Sequence, residues 1–194
     1  MAVDKFSSAT GPQHGLIKVV PASIVVGSGS GSSDVNGNIT FSSVSSISIN
    51  NCFTSSYDSY QFVLLCRNNS ANDTGLNMQF RSAGSNIGGT SYSRNQIQSY
   101  LTVVSASGTN GTSSWNLGAV SQINFSQVEC TISNASIALP KTQSYRNAHG
   151  QSGTTLDTYY GFGINSTATA YDGFTITTSG GTITGTLKIF GYNN

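Results

Sequence analysis

Tyr171 to Asn194 read YDGFTITTSGGTITGTLKIFGYNN, and this stretch sets the fold expected of the whole chain. Phe174 and Ile176 alternate with Thr175 and Thr177, the period-two pattern of a half-buried strand. Ser179, Gly180 and Gly181 supply a turn, because glycine reaches positive φ without a Cβ clash. Ile183, Leu187 and Ile189 then share one face with Gly185. Thr182, Thr184, Thr186 and Lys188 take the other. The expectation is a closing β-hairpin. At its end the polar face changes character, since Phe190 and Tyr192 fall on the Thr/Lys side. A strand apolar on both faces is usually covered on both. The spacing therefore predicts a second cover over Phe190 and Tyr192, either a loop of this chain or a neighbouring subunit.

Upstream, short patterns of the same kind follow one another. Ile39 and Phe41 alternate, as do Ile47 and Ile49. Gln61 to Cys66 is apolar on both parities and reads as a central strand. Leu76, Met78 and Phe80 form a row, and so do Val128, Cys130 and Ile132. Ile123 and Phe125 sit on the opposite parity to that last row, which places a turn or bulge near Ser126. Tyr160, Phe162 and Ile164 form another row, interrupted by Gly161 and Gly163. No window combines an N-cap, 3.6-residue apolar spacing and good helix formers. No repeat of fixed period is visible, which argues against a β-helix or propeller. The expected class is all-β, an antiparallel sandwich of the jelly-roll kind.

The first residues differ from this body. Leu16, Ile17, Val19 and Val20 form one apolar run, ended by Pro21. Ile24, Val25 and Val26 form a second. Gly27 to Ser33 is then wholly Gly and Ser, a composition that spans on the order of 15 Å as a flexible linker. The division expected is an extended N-terminal arm with its linker over 1–35 and a sandwich body over 36–194. The same tract also fits a long loop within one domain.

Composition narrows the function. Charged residues are 8% of 194 and the formal net charge is +1, against about 25% charged in an ordinary soluble domain. Nothing here attracts nucleic acid or an anionic membrane surface. No apolar run approaches the ~20 residues of a membrane span, and no secretory signal is visible. Cys52, Cys66 and Cys130 are an odd number, and the last two fall on apolar rows, where a thiol acts as a small buried hydrophobe. A reducing cytoplasm is the expected folding compartment.

No catalytic constellation emerges. Asp157 and Asp172 flank one strand pair, and a glycosidase needs two carboxylates roughly 5–9.5 Å apart; yet Asp172-Gly173 reads as turn chemistry. His14 and His149 have no partners at metal-ligand spacing, so neither metal nor cofactor is expected. Two polar stretches carry aromatics. Tyr92, Tyr100 and Trp115 lie in or beside 84–118, and Tyr145, Arg146 and His149 lie in another. On loops, such residues bind sugars by stacking and hydrogen bonding; packed beneath loops, they extend the core. Tyr92, Trp115, Tyr145, Arg146 and His149 are the candidate receptor contacts.

Several segments in order resemble a known family. They are Gly15 to Pro21 with Ser23, the Gly/Ser tract, Gly37 to Phe41, Val44 to Asn50 and Cys52 to Tyr60. Leu76 to Arg81 with Gly84, Ser91-Tyr92, Trp115 to Gly118 and Gly185 to Tyr192 follow. Together they resemble virion structural proteins of tailed bacteriophages, of minor-tail, tail-fibre or head-decoration type. The resemblance implies a jelly-roll body, often trimeric, anchored to the particle by its N-terminal segment, and no catalytic residues. The expectation is a non-enzymatic virion protein assembled in the host cytoplasm, a tail-fibre or host-attachment component. The alternative is a capsid decoration protein, and a carbohydrate-degrading tail enzyme comes third. Leu16, Ile17, Val19, Val20, Ile24, Val25 and Val26 would attach it to the particle, and Phe190 and Tyr192 would meet another subunit of a homotrimer. Expected partners are other copies, a tail or major capsid protein, and a host surface glycan.

Overall fold

The computed structural model describes residues 15–152 and 155–192, and these hold strands and no helix, as the absence of helical periodicity predicts. In chain order the strands are β1 (Ile17–Lys18), β2 (Ser23–Val26), β3 (Ser30–Ser33), β4 (Ile39–Val44), β5 (Ser46–Asn50), β6 (Ser59–Asn68), β7 (Thr74–Ser82) and β8 (Ser85–Asn86). There follow β9 (Tyr92–Tyr100), β10 (Val103–Thr112), β11 (Trp115–Val120), β12 (Ser126–Ser133), β13 (Lys141–Ser152), β14 (Thr155–Asn165), β15 (Gly173–Thr178) and β16 (Ile183–Tyr192). They pair antiparallel in two sheets packed as a jelly-roll-like sandwich. The larger runs β10-β9-β14-β13-β12-β6-β16-β4-β3, with β1 against the end of β16. The smaller runs β11-β7-β15-β5-β2, with β8 on β7.

The core lies between the sheets and is built from the rows legible in the sequence. Phe62 and Leu64 of β6, Val128 and Ile132 of β12, and Leu187 and Ile189 of β16 point inward from the larger sheet and are buried. Ile47, Ile49, Leu76, Met78, Phe80, Phe174 and Ile176 meet them from the smaller one. Phe174 of β15 stacks on Phe62 of β6 with centroids 5.1 Å apart, so the two layers touch ring to ring. β6 is central, between β12 and β16. The three cysteines are buried and free, and burial pushes the Cys66 thiol up to about 12.

The expected closing hairpin is not one. β15 pairs with β5 and β7 in the smaller sheet, whereas β16 pairs with β6, β4 and β1 in the larger. The chain changes layer at Ser179 to Thr182. Gly181 takes φ +70°, as a turn there requires. The corner bonds to other loops: Thr178 N donates to Ser45 O at 3.1 Å, Ser179 N to Gly75 O at 2.9 Å, and Asn69 N to Thr182 O at 2.8 Å. Alternation cannot separate these cases. Two apolar rows can share one face of one sheet or oppose each other across a sandwich, and the letters are the same.

The expected arm also departs from its reading where it is described. β1 pairs with β16, β2 with β5, and β3, drawn from the Gly/Ser tract, with β4. Val19 and Pro21 are buried; Leu16, Val20 and Val25 are exposed. Edge pairing needs only backbone donors and acceptors, so a run of Ser and Gly serves as well as Val, and Ser28 Oγ adds bonds to Ser43 O and from Ser45 N. Residues 1–14 of that arm lie outside the described residues.

Candidate interaction surface

Four strands at one end of the larger sheet, β13, β14, β9 and β10, reverse the usual sense of a sandwich. Their inward row is largely polar: Lys141, Gln143, Asn147 and His149 from β13, and Asp157 and Asn165 from β14, all buried. Their outward row holds Tyr160, Phe162 and Ile164 of β14, Ile97 of β9 and Val104 of β10, all exposed. Cross-strand register puts Ala106, Ile97 and Tyr160 side by side on this outer face.

Inside, glycine makes the reversal possible. The Tyr145 ring lies against Gly161, where a Cβ would overlap it. The Trp115 indole lies on Gly163, where a Cβ would fall 2.7 Å from Nε1. Trp115 Nε1 donates to Ser93 O at 3.2 Å and Ile164 O at 3.3 Å, and Tyr145 OH donates to Gln96 Oε1 at 2.6 Å. Burial pushes the Tyr145 phenol up to about 12. Asn147 Nδ2 donates to Leu117 O and Ala119 O, tying β13 to β11 of the opposite sheet.

At the far end of β13 a buried polar cluster forms, in which His149 Nδ1 and Asp157 Oδ1 have no hydrogen-bond partner among the described residues. His149 Nε2 lies 3.5 Å from Asp73 Oδ2 and 3.9 Å from Asp157 Oδ2. Gln98 Nε2 and Tyr159 OH donate to the same Asp157 oxygen at 2.8 and 3.1 Å. His149 stacks on Tyr159 at 5.9 Å, and burial, then the Asp157 charge, raise the Tyr159 phenol. Asp73 Oδ1 accepts from Gln122 N. His149 and Asp157 are almost wholly shielded from solvent, so the cluster pins the β13–β14 hairpin to the loops before β7 and β12. Among the described residues no three or more His, Cys, Asp or Glu side chains are placed to hold a metal ion. Lys141 is likewise buried; its Nζ donates to Ile137 O at 2.7 Å and to Leu139 O and Thr169 O, closing the 134–140 loop.

The expected site residues divide accordingly. Tyr92, Trp115, Tyr145 and His149 are not outward loop residues: they lie on β9, β11 and β13 and are buried. Their stretches read as loops because Ser, Asn, Thr and Gly hide the alternation. Arg146 alone of the five faces out, paired with Glu129 at 2.6 Å. Asp157 and Asp172 have separate surroundings: Asp172 Oδ2 accepts from Ala83 N at the β7–β8 turn. Phe190 and Tyr192 are half-buried on the outer face of the larger sheet. One cross-strand row there runs Phe162, Ser144, Thr131, Gln61, Phe190, which sets the two phenylalanines four strand spacings apart, ~19 Å.

Tyr160 and Phe162 stand as a ridge on this face with clefts on either side. One, about 430 Å³, lies toward β10 between Phe162, Tyr160, Ile97, Ala106, Gly108 and Asn95. Two others, about 300 Å³ each, lie toward β12 around Glu129 and Arg146. The Tyr160, Phe162, Ile164 row is legible in the sequence but the side it faces is not; the glycines at 161 and 163, which leave the inward side open, are the signal for it.

No family model matches the sequence, and no characterised protein matches it. Among solved structures, a chain of infectious bursal disease virus, Gt strain, aligns at 11% identity and a TM-score of 0.15. The alignment covers 98% of this chain and 43% of that one. This chain thus spans less than half the length of that neighbour, and a likeness of this size carries no functional argument.

Proposed function

We propose that this chain is a structural component of a bacteriophage virion, of the tail-fibre or host-attachment type, that works by docking and not by catalysis. The observation that carries the docking role is the reversed end of the larger sheet. Side chains that a free-standing sandwich would bury stand outward there, while polar ones are turned in. Burying that apolar row against another body is favourable, at about 25 cal/mol per Å². The virion assignment rests on the resemblance carried by Gly15 to Pro21, Cys52 to Tyr60 and Gly185 to Tyr192. Capsid decoration is the second reading, favoured by the breadth of the outer face, in which nine strands lie side by side.

Antibody labelling of purified particles tests both. Label at the tail supports the first reading, and label over the shell supports the second. Particles that carry no label and lack the protein in their polypeptide profile overturn both.

A further inference from the structure

We infer that the outer face of β14, β9 and β10 docks a second copy of this chain, the Tyr160/Phe162 ridge of one copy entering the groove beside β10 of the next. The inference rests on the docking role proposed above and names its occupant.

Three observations choose a second copy over an unrelated partner. The first is area. Tyr160 is 56% exposed, Phe162 69%, Ile97 51% and Val104 69%, with Leu156 and Ile164 beside them. Taking a full aromatic side chain as about 150–250 Å² and an aliphatic one as somewhat less, these fractions leave on the order of 600 Å² of apolar surface. That stands at the top of the range for a monomer's largest patch, ~300–600 Å². It approaches the ~800 Å² that each partner contributes to a standard interface, and the polar rim supplies the difference.

The second is charge. The outward row of β14, β9 and β10 includes no charged side chain. Arg94 of β9 borders it, lining a cleft beside Phe162 and Ile164 with its Nη1 buried, and Arg146 and Glu129 on the other side neutralise each other. A fitting partner has a face equally free of charge. A chain with 8% charged residues and a net charge of +1 offers one, whereas an ordinary protein surface carries several times more charge.

The third is the edge itself. β10 ends the larger sheet and contains no charge and no proline in Val103 to Thr112. Those are two of the devices by which proteins that must stay apart blunt an open edge; a third, a bulge, falls only near its end, between Thr109 and Thr112. The groove and the ridge also complement each other in shape. Gly108 and Ala106 leave a notch of about 430 Å³ next to two projecting rings, so one patch carries both halves of a ridge-and-groove contact and can meet its own copy.

Sedimentation velocity on the full chain tests this. The intact protein is expected to sediment as an oligomer. The Tyr160→Ser/Phe162→Ser double variant is expected to sediment as a monomer, with its β-sheet circular dichroism and its single-tryptophan emission unchanged. Ala106→Glu puts a charge in the groove at an exposed site and is expected to give the same loss, which keeps the test decisive if the double variant folds poorly. A monomeric intact protein overturns the inference. So does an oligomer that survives both changes, or one lost only in Phe190→Ser/Tyr192→Ser. These outcomes are independent of particle labelling, so this inference and the virion reading fail separately.

Discussion

Gly161 and Gly163 show how two missing side chains organise one end of the sandwich. In a strand interior glycine is normally a cost, because it loses the most backbone entropy and packs nothing. Here each vacates the inward side of β14 for an aromatic ring from a neighbouring element, Tyr145 from β13 and Trp115 from β11. The rings then satisfy their polar atoms on β9, at Gln96 Oε1 and Ser93 O. Adding one methyl at Gly161 forces Tyr145 off its place and strains its hydrogen bond. Gly161→Ala is expected to destabilise the fold by about 1–3 kcal/mol, the usual cost of overpacking. Gly180 is the control: it lies in the exposed corner, where the nearest atom to an added Cβ, Thr74 Oγ1, is 3.9 Å away. Urea midpoints should fall for Gly161→Ala and stay near the parent value for Gly180→Ala.

At the scale of elements, the chain's own letters mark some strands openly and hide others. Phe62 to Cys66 announces its strand by an unbroken apolar run, and Leu76, Met78 and Phe80 announce theirs by alternating with polar residues over a dry core. β9, β10 and β13 are as well paired but carry Ser, Asn, Gln and Thr on the inward side, so no period stands out. Their identity comes from long-range backbone pairing, as in Tyr145 opposite Gly161 and Tyr159 opposite Gln98, which a local reading does not contain. The partner of β16 was hidden for the same reason. The N-terminal segment gives the sharpest test. Because β1 pairs with the end of β16, β2 forms an edge of the smaller sheet and Val19 is buried, removing residues 1–26 should strip both strands from the body. Each buried Val or Ile side chain is worth about 1.5–3 kcal/mol. The melting temperature of that deletion should fall by roughly 10 °C or more for a chain of this length. A 1–26 deletion that melts like the parent would mean that β1 and β2 contribute nothing to the body.

For the whole molecule, the balance of charge and burial sets how stability and assembly respond to solvent. Burial raises the phenols of Tyr92, Tyr145, Tyr159 and Tyr171. Their folded values lie above those of the unfolded chain, so their contribution is whole below about pH 10. As pH rises the unfolded chain releases those protons while Tyr145 holds its own to about 12, and stability drains away across that window. The four should therefore ionise only as the fold opens, seen as a cooperative rise in phenolate absorbance that coincides with loss of β-sheet dichroism. If all nine tyrosines ionise while the dichroism persists, these rings are not shielded as described.

Salt separates the forces of assembly in the same way. A contact built on Tyr160, Phe162, Ile97 and Val104 draws on apolar burial, which screening by ions leaves intact, whereas a contact steered by charge weakens as the Debye length shrinks from ~10 Å at 0.1 M to ~3 Å at 1 M. The Arg146–Glu129 ion pair bordering the ridge lies within a single chain, so its screening costs the interface little. Mass action adds a second signature, since a ligand that binds only the folded state raises apparent stability with its concentration, and here the ligand is the protein itself. The melting temperature should rise with protein concentration, and that rise should persist undiminished from low to high sodium chloride. Ala106→Glu should abolish the concentration dependence at low salt and recover part of it at high salt, where the repulsion it introduces is screened. A concentration dependence in the parent that vanishes on adding salt would instead place the contact on charged side chains such as Lys188 and Arg67, away from the aromatic ridge.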